Sequence, residues 1–290
     1  MSGITTLSSS DSLPLTCSRS GTCCHGNLVM LNPWELAQLA HIKGMTTRDF
    51  RDRYCDWGGI RLLFNGVKNS NNKISCSQYI PGEGCSVYSG RPMVCRLFPL
   101  GRQKVRDEVN YIFKGESFPC LIECPEVVEL PEMKVGDYLK GQQTEHCETA
   151  QDVYLDLMKD LVDGAYAMFF DSGLAATGDK KTLELWSLMG NEPPEDLKER
   201  LGDEWIDLLM VPELSFNSSS PLDYSRAHFQ ILQTRAQQAF GTSSTVEEFS
   251  KASALLMGLA LHLARGLGAN PATIVEHWVK EVRAAVAAEA

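Results

Sequence analysis

The chain has 290 residues, with 27 Lys and Arg against 37 Asp and Glu, which gives a formal net charge of −10 at pH 7. This acidic balance argues against nucleic-acid binding and against binding to anionic membranes, because both functions need a basic surface. An apolar content of 43% is adequate for a hydrophobic core, so we expect a folded protein of one large or two ordinary domains.

The first half of the chain predicts short and varied elements. Asn32 is followed by Pro and, at the third helical position, by Glu, which predicts a capped helix ending near Gly44. A second helix is expected from Thr46 or Thr47. Alternating patterns then predict a small hairpin and one further strand, at 61–64 paired with 73–76 and at 104–113.

The second half is dominated by apolar residues at helical spacing. Two helix starts are marked by caps, a Thr245/Glu248 capping box and Asn270-Pro271. A Ser-rich break at 215–221 interrupts the series. The helices are expected at 145–170, 179–190, 194–201, 203–211, 223–240, 246–265 and 271–288.

These patterns together predict an α-rich α+β protein. We expect an irregular, cysteine-rich metal-binding domain with short hairpins over residues 1–134, and a mostly helical domain over 135–290. The helical domain is expected to support the first domain or to bind a partner, since apolar stripes at helical spacing are usually core.

The N-terminal residues bear on the compartment. Residues 1–16 contain no Lys or Arg and no apolar run, so neither part of a secretory signal is visible there. No window approaches 18 uninterrupted apolar residues, so no membrane span is expected. These features predict a cytoplasmic protein with reduced thiols, which favours metal ligation over a disulfide framework.

Nine of the ten cysteines lie before residue 125. Thiolates favour zinc, copper(I) or iron–sulfur clusters over magnesium or calcium. A site of this kind commonly combines a local group of ligands with distant ones that close it. The local group here is Cys17, Cys23 and Cys24, and the distant ligands are Cys76, Cys85 and Cys95.

The spacing of these residues resembles that of the YkgJ-type cysteine-cluster family, described as zinc- or iron-chelating proteins, to which flagellin lysine N-methylases are related. The family pattern looks like C-x2-C-G-x-C-C, then a cysteine, then C-x2-Y-x2-R-P-x3-C-R-x-F-P. The resemblance covers about residues 16–100. Its matching positions are Cys17, Gly21, Cys23, Cys24, Cys76, Cys85, Tyr88, Arg91, Pro92, Cys95, Arg96, Phe98 and Pro99.

One position departs from the family pattern, because Ser20 replaces the second cysteine. Cys124 is a candidate to fill the vacancy, since it is followed by proline as in bacterial cluster motifs. The predicted metal ligands are Cys17, Cys23, Cys24, Cys76, Cys85, Cys95 and Cys124.

Other residues near the motif have weaker assignments. Arg91, Arg96 and His25 are expected to act on the ligands through hydrogen bonds or charge rather than to ligate. Cys55 and Cys147 are expected to be small core residues, and the choice for Cys120 stays open.

The surplus of thiols and the adjacent pair Cys23 and Cys24 favour an iron–sulfur cluster, chiefly [4Fe-4S], with zinc as the alternative. Side chains of adjacent residues diverge in extended backbone, so one tetrahedral ion uses both thiolates less easily than a polynuclear site does.

The resemblance implies methylation of a protein or peptide lysine with S-adenosylmethionine. Neither a G-x-G-x-x-G after a strand nor a C-x3-C-x2-C triplet is present to support this cofactor. Two alternatives therefore stay open. One is a non-catalytic binding module, redox sensor or electron carrier; the other is a metal-dependent enzyme that modifies a peptide or small molecule.

Overall fold

The computed structural model describes residues 5–13, 21–105, 108–113, 132–171, 173, 180–216 and 220–289. The chain divides into two compact units, each made of two segments. Unit 1 comprises Met1–Val29 and Leu62–Glu148, and unit 2 comprises Met30–Arg61 and Thr149–Ala290. The expected domain boundary near residue 134 stays a prediction.

Short strands form most of the regular structure of unit 1. The strands in the described ranges are β1 (Thr5–Leu7), β2 (Ser12–Leu13), β3 (Cys55–Asp56), β4 (Arg61–Leu62), β5 (Tyr79–Ile80), β6 (Gly84–Cys85), β7 (Leu100–Val105), β8 (Glu108–Phe113) and β9 (Met133–Lys134). β1, β8 and β7 make an antiparallel sheet in which Thr5 and Leu100 both lie opposite Phe113. Two further two-stranded pieces are β2–β9 and β5–β6.

Helices dominate the remainder, which agrees with the predicted α-rich α+β class. The described helices are α1 (Pro33–Ile42), α2 (Thr47–Tyr54), α3 (Met93–Leu97), α4 (Val135–Gln142), α5 (Glu145–Asp171), α6 (Lys180–Asn191), α7 (Pro194–Leu201), α8 (Asp203–Met210), α9 (Pro221–Phe240), α10 (Val246–Gly266) and α11 (Pro271–Glu289). None of the helices in these ranges is both long and apolar enough to cross a membrane.

Both predicted capping boxes are present. In α1, Asn32 Oδ1 accepts from the Glu35 N–H at 3.0 Å while Glu35 accepts from the Asn32 N–H at 3.1 Å. The same reciprocal pair joins Thr245 and Glu248 at α10. Each box satisfies two N–H groups that have no partner within the helix.

The predicted N-terminal hairpins differ in register from the observed ones. The segment opposite 73–76 is 66–68 rather than 61–64, because Ser75 N–H donates to the Val67 carbonyl at 2.8 Å. The Asn69 side chain accepts hydrogen bonds from the Asn71 and Lys73 N–H groups. The turn is therefore confined to residues 69–73 and is shorter than the predicted connection between 64 and 73. The expected single strand at 104–113 is instead the antiparallel pair β7 and β8.

The core of unit 2 forms around α10, which is buried along most of its length. Glycines allow close helix contacts there. A side chain at Gly258 would lie 2.6 Å from Leu201 Cδ2 on α7, and one at Gly190 would lie 2.3 Å from Val275 Cγ1 on α11. Trp34, Tyr154 and Trp186 are fully buried in the same unit.

Two histidines in the core of unit 2 are fully buried, and burial lowers both pKa values, to about 4 for His228 and about 3 for His262. His228 has two partners, since its Nε2–H donates to the Leu208 carbonyl at 2.9 Å and its Nδ1 accepts from the Tyr154 hydroxyl at 3.0 Å. Neither ring nitrogen of His262 has a hydrogen-bond partner within the described residues.

These histidines predict acid-sensitive stability in unit 2. Because the unfolded histidine binds a proton near pH 6.5 and the folded one does not, stability is present above that pH and falls as pH decreases toward the folded pKa. One such histidine costs about 2 kcal/mol by pH 5. All five tryptophans lie in unit 2, so urea unfolding followed by tryptophan fluorescence from pH 7.5 to 5 measures the effect.

Substitution of each histidine separates this titration from ordinary packing. We expect both His262→Leu and His228→Leu to flatten the pH dependence. Only His228→Leu should also lose about 2–5 kcal/mol at pH 7.5, because it leaves the Tyr154 hydroxyl and the Leu208 carbonyl without their partner. An unchanged pH profile in both variants would contradict this account.

Candidate metal centre

Five of the predicted ligands line one cavity in unit 1. The cavity has a volume of about 350 Å³ and also contacts apolar side chains and one guanidinium. The cysteines at its wall are Cys23, Cys24, Cys76, Cys85 and Cys95. The structure therefore brings together residues that are up to 72 positions apart in the sequence.

The first two cysteines lie in a short 3-10 turn, Thr22–Cys24. Gly21 precedes the turn with φ of 80°, a left-handed conformation that favours glycine. A Cβ at this position would also lie 3.3 Å from the Tyr79 ring. The Gly21 carbonyl accepts from the Cys24 N–H at 2.9 Å, which fixes the turn.

A backbone hydrogen bond joins the local and distant groups of cysteines. The Cys76 N–H donates to the Cys24 carbonyl at 2.7 Å. After Cys76, the Gln78 N–H lies 3.5 Å from its sulfur and the Tyr79 N–H donates to its carbonyl at 3.0 Å. The sulfur of Cys76 thus accepts a backbone hydrogen bond, an interaction that stabilises thiolate charge.

The last two cysteines are held by a hairpin and a helix. Cys85 lies opposite Tyr79 in the β5–β6 ladder. Cys95 lies within α3, where its N–H donates to the Pro92 carbonyl at 3.0 Å. Both thiols therefore approach the cavity from elements with defined backbone geometry.

The thiols interact electrostatically with one another. Burial raises the pKa of Cys76 to about 11, and the neighbouring Cys24 and Cys85 add to this effect. Burial also raises the pKa of Cys95 well above its usual value, with further contributions from Cys76, Cys24 and Cys85. Four thiols are thus close enough to oppose one another's ionisation.

In the adjacent pair, Cys23 and Cys24, the pKa shift has a different main cause from that of the distant thiols. A hydrogen bond with Cys23 is the largest cause of the raised pKa of Cys24, ahead of burial. Cys23 contributes to the pKa of none of the distant thiols for which causes are resolved. Cys23 is thus a fifth thiol of the same cavity, and its resolved interaction is with Cys24.

Three residues are predicted to act on the ligands through hydrogen bonds or charge, and one of them, Arg91, lines the cavity. Its charge lowers the pKa values of Cys24 and Cys95 against the larger effects that raise them. Its guanidinium lies over the Tyr88 ring, with Cζ 3.9 Å from the ring centroid. Arg91 therefore offsets part of the negative charge that ionised thiols would bring.

Arg96 instead binds the backbone and does not line the cavity in the described part of the chain. It is 6% exposed, and its guanidinium donates to the carbonyls of Ser89, Arg91 and Gln142. Because its guanidinium donates to three carbonyls, Arg96 has a structural role: it holds the 89–91 segment against the end of α4.

His25 is not among the described residues that line the cavity, but it contacts two that do. Its Nδ1–H donates to the Gly21 carbonyl at 3.2 Å, and its ring packs edge-on against Tyr79 at 4.9 Å between centroids. These contacts make it a support for the turn that holds Cys23 and Cys24.

The remaining predicted residues divide into two groups. Cys17, Ser20, Cys120 and Cys124 lie outside the described residues. Cys55 and Cys147 are buried and do not line the cavity, as expected for core cysteines.

Sequence reasoning missed several residues at the site. Tyr79 and Gln78 could have been found from their position just after Cys76. Gln142, whose side chain accepts from Arg91 at 3.1 Å, has no sequence pattern that links it to the cysteines.

The donor set suits a soft metal, because thiolates are its chief ligands and Glu83 is the one carboxylate at the described cavity wall. Among the residues that the structure describes, no three His, Cys, Asp or Glu side chains form a group that could hold a metal ion. The donors that the structure brings together are therefore the cysteines of the cavity wall.

Comparison with known proteins agrees with this chemistry. The model of the CxxCxxCC family, described as "Putative zinc- or iron-chelating domain", matches residues 16–112, about a third of the chain. No curated protein and no solved structure matches the chain. The resemblance inferred from the cysteine motif is confirmed for residues 16–112, which match the model of a zinc- or iron-chelating domain.

Proposed function

We propose that this protein binds an iron–sulfur cluster through Cys24, Cys76, Cys85 and Cys95, and that it works as an electron carrier or redox sensor. The observation that carries the proposal is the convergence of these four thiols on one cavity. When bound, the cluster would supply reversible one-electron chemistry.

The choice of four ligands follows from their mutual interactions. Cys95 interacts electrostatically with the other three, and Cys76 interacts with Cys24 and Cys85. Four thiolates are the usual complement of one [4Fe-4S] cluster. This set needs neither Cys17 nor Cys124, so a serine at position 20 is compatible with it.

The size of the cavity favours a cluster over zinc. In structural zinc sites the sulfur atoms lie about 2.3 Å from the ion, so four thiolates close directly around it. Here the thiols border a cavity of about 350 Å³. A polynuclear group fills such a space better than one ion does.

A site closed by four thiolates favours electron transfer or sensing over substrate binding at the metal. Structural and electron-transfer sites are fully ligated by protein, whereas catalytic metal sites keep an open position. Lysine methylation with S-adenosylmethionine, on a protein or peptide substrate, therefore stays a prediction from the sequence resemblance. The cytoplasmic location also stays a prediction.

Cysteine substitutions test the ligand set. We expect Cys24→Ala, Cys76→Ala, Cys85→Ala and Cys95→Ala each to lower bound metal per chain by about tenfold or more, because a ligand is lost. Cys17→Ala, Cys23→Ala and Cys124→Ala should keep it. Metal analysis of the purified full chain is the measurement.

Cys147→Ala is the matched control, because Cys147 is a buried cysteine of unit 1 that does not line the cavity. The variant should retain metal although it also loses a cysteine side chain of the same unit. Full metal content in Cys95→Ala would contradict the proposed set, as would equal losses in Cys17→Ala and Cys124→Ala.

Anaerobic purification with iron, sulfide and zinc analysis tests the metal identity. We expect about four iron and four sulfide per chain, with a reversible one-electron transition. Stoichiometric zinc without sulfide would refute the cluster. Saturable S-adenosylmethionine binding with methyl transfer to a protein lysine would instead support the enzyme.

A further inference from the structure

Arg91 is held in place by three contacts. Its Nε–H donates to the Tyr88 carbonyl at 3.3 Å, and its Nη2 donates to Gln142 Oε1 at 3.1 Å. Its guanidinium also stacks on the Tyr88 ring at 3.9 Å. A long, flexible side chain is thereby fixed in one position at the cavity wall.

Arg96 holds one of these partners, Gln142, and the backbone of Arg91 itself. Arg96 Nη1 donates to the Gln142 carbonyl at 2.8 Å, and its Nε donates to the Arg91 carbonyl at 2.8 Å. One buried guanidinium therefore ties the backbone of Arg91 to the backbone of Gln142. These two hydrogen bonds of Arg96 fix the distance between the Arg91 side chain and the Gln142 side-chain amide that accepts from it.

Arg91 brings positive charge to the wall of the cavity. Among the described residues that line the cavity, Arg91 is the one cation and Glu83 is the one carboxylate. Four metal-bound thiolates in the same wall would make the site strongly negative. A fixed positive charge beside a metal–thiolate centre favours whichever state of the centre is more negative.

We propose that Gln142 positions the Arg91 guanidinium beside the metal-bound thiolates, and that this placed charge raises the reduction potential of the centre and slows loss of its metal. The inference rests on the proposed function, since it assigns a regulator to the same site. Gln142 is a positioning residue that acts through Arg91.

Gln142→Glu tests the proposal while preserving the shape of the side chain. The carboxylate still accepts from Arg91 Nη2, but its negative charge cancels that of the guanidinium. We expect the reduction equilibrium constant of the bound cluster to fall about tenfold, which is a fall of 59 mV for a one-electron couple. Redox titration of the cluster-loaded full chain measures this shift.

Companion variants separate charge from structure. Arg91→Gln should lower the potential in the same direction, and Arg91→Lys should restore part of it because the charge is retained. In the Arg91→Gln background, adding Gln142→Glu should have a smaller effect than it has alone. Lys68→Gln removes an exposed cation of unit 1 that does not line the cavity and should leave the potential unchanged.

The outcomes distinguish this inference from the proposed function. An unchanged potential in Gln142→Glu with normal iron and sulfide would overturn the inference and leave the cluster proposal intact. If the chain holds zinc without sulfide, the cluster proposal fails, and the rate of zinc transfer to a chelator becomes the readout. Gln142→Glu should then speed transfer about tenfold, and an unchanged rate would overturn the inference.

Discussion

The crowding of thiols around one cavity is the constraint on which unit 1 depends. Burial and mutual interaction raise the pKa values of Cys76 and Cys95, so ionising them together is costly without positive charge. A metal group supplies that charge, and Arg91 supplies a smaller share. Binding free energy at such a site is also folding free energy, because the ligands come from separate loops that the metal connects.

The elements of the two units are held in position by different interactions. In unit 2, long helices pack buried aromatic and aliphatic side chains around α10, so apolar burial fixes the geometry. Unit 1 also buries apolar side chains, among them Leu13, Val87 and Leu97, but several of its strands have only two residues. Its loops are joined in addition by polar contacts such as the Cys76–Cys24 backbone bond and the three carbonyls bound by Arg96.

This difference explains what the sequence could predict. Helix caps such as Asn32 and Glu35 act locally, so the sequence located them, and cysteine spacing located the thiols of the site. The prediction of the hairpin register was wrong because hydrogen bonds to the Asn69 side chain determine the turn. Alternation of apolar and polar residues gives no information about such bonds. Gln142 reaches Arg91 through tertiary structure across 51 residues, where no local pattern operates.

The same reasoning bears on Ser20, the departure from the family pattern. The local turn contributes Cys24 to the cavity through Gly21 and through the backbone bond to Cys76, and neither contact involves the side chain at position 20. The proposed set of Cys24, Cys76, Cys85 and Cys95 would leave no vacancy for another ligand. A serine at position 20 is compatible with that set, because distant cysteines would complete the coordination and the turn depends on Gly21.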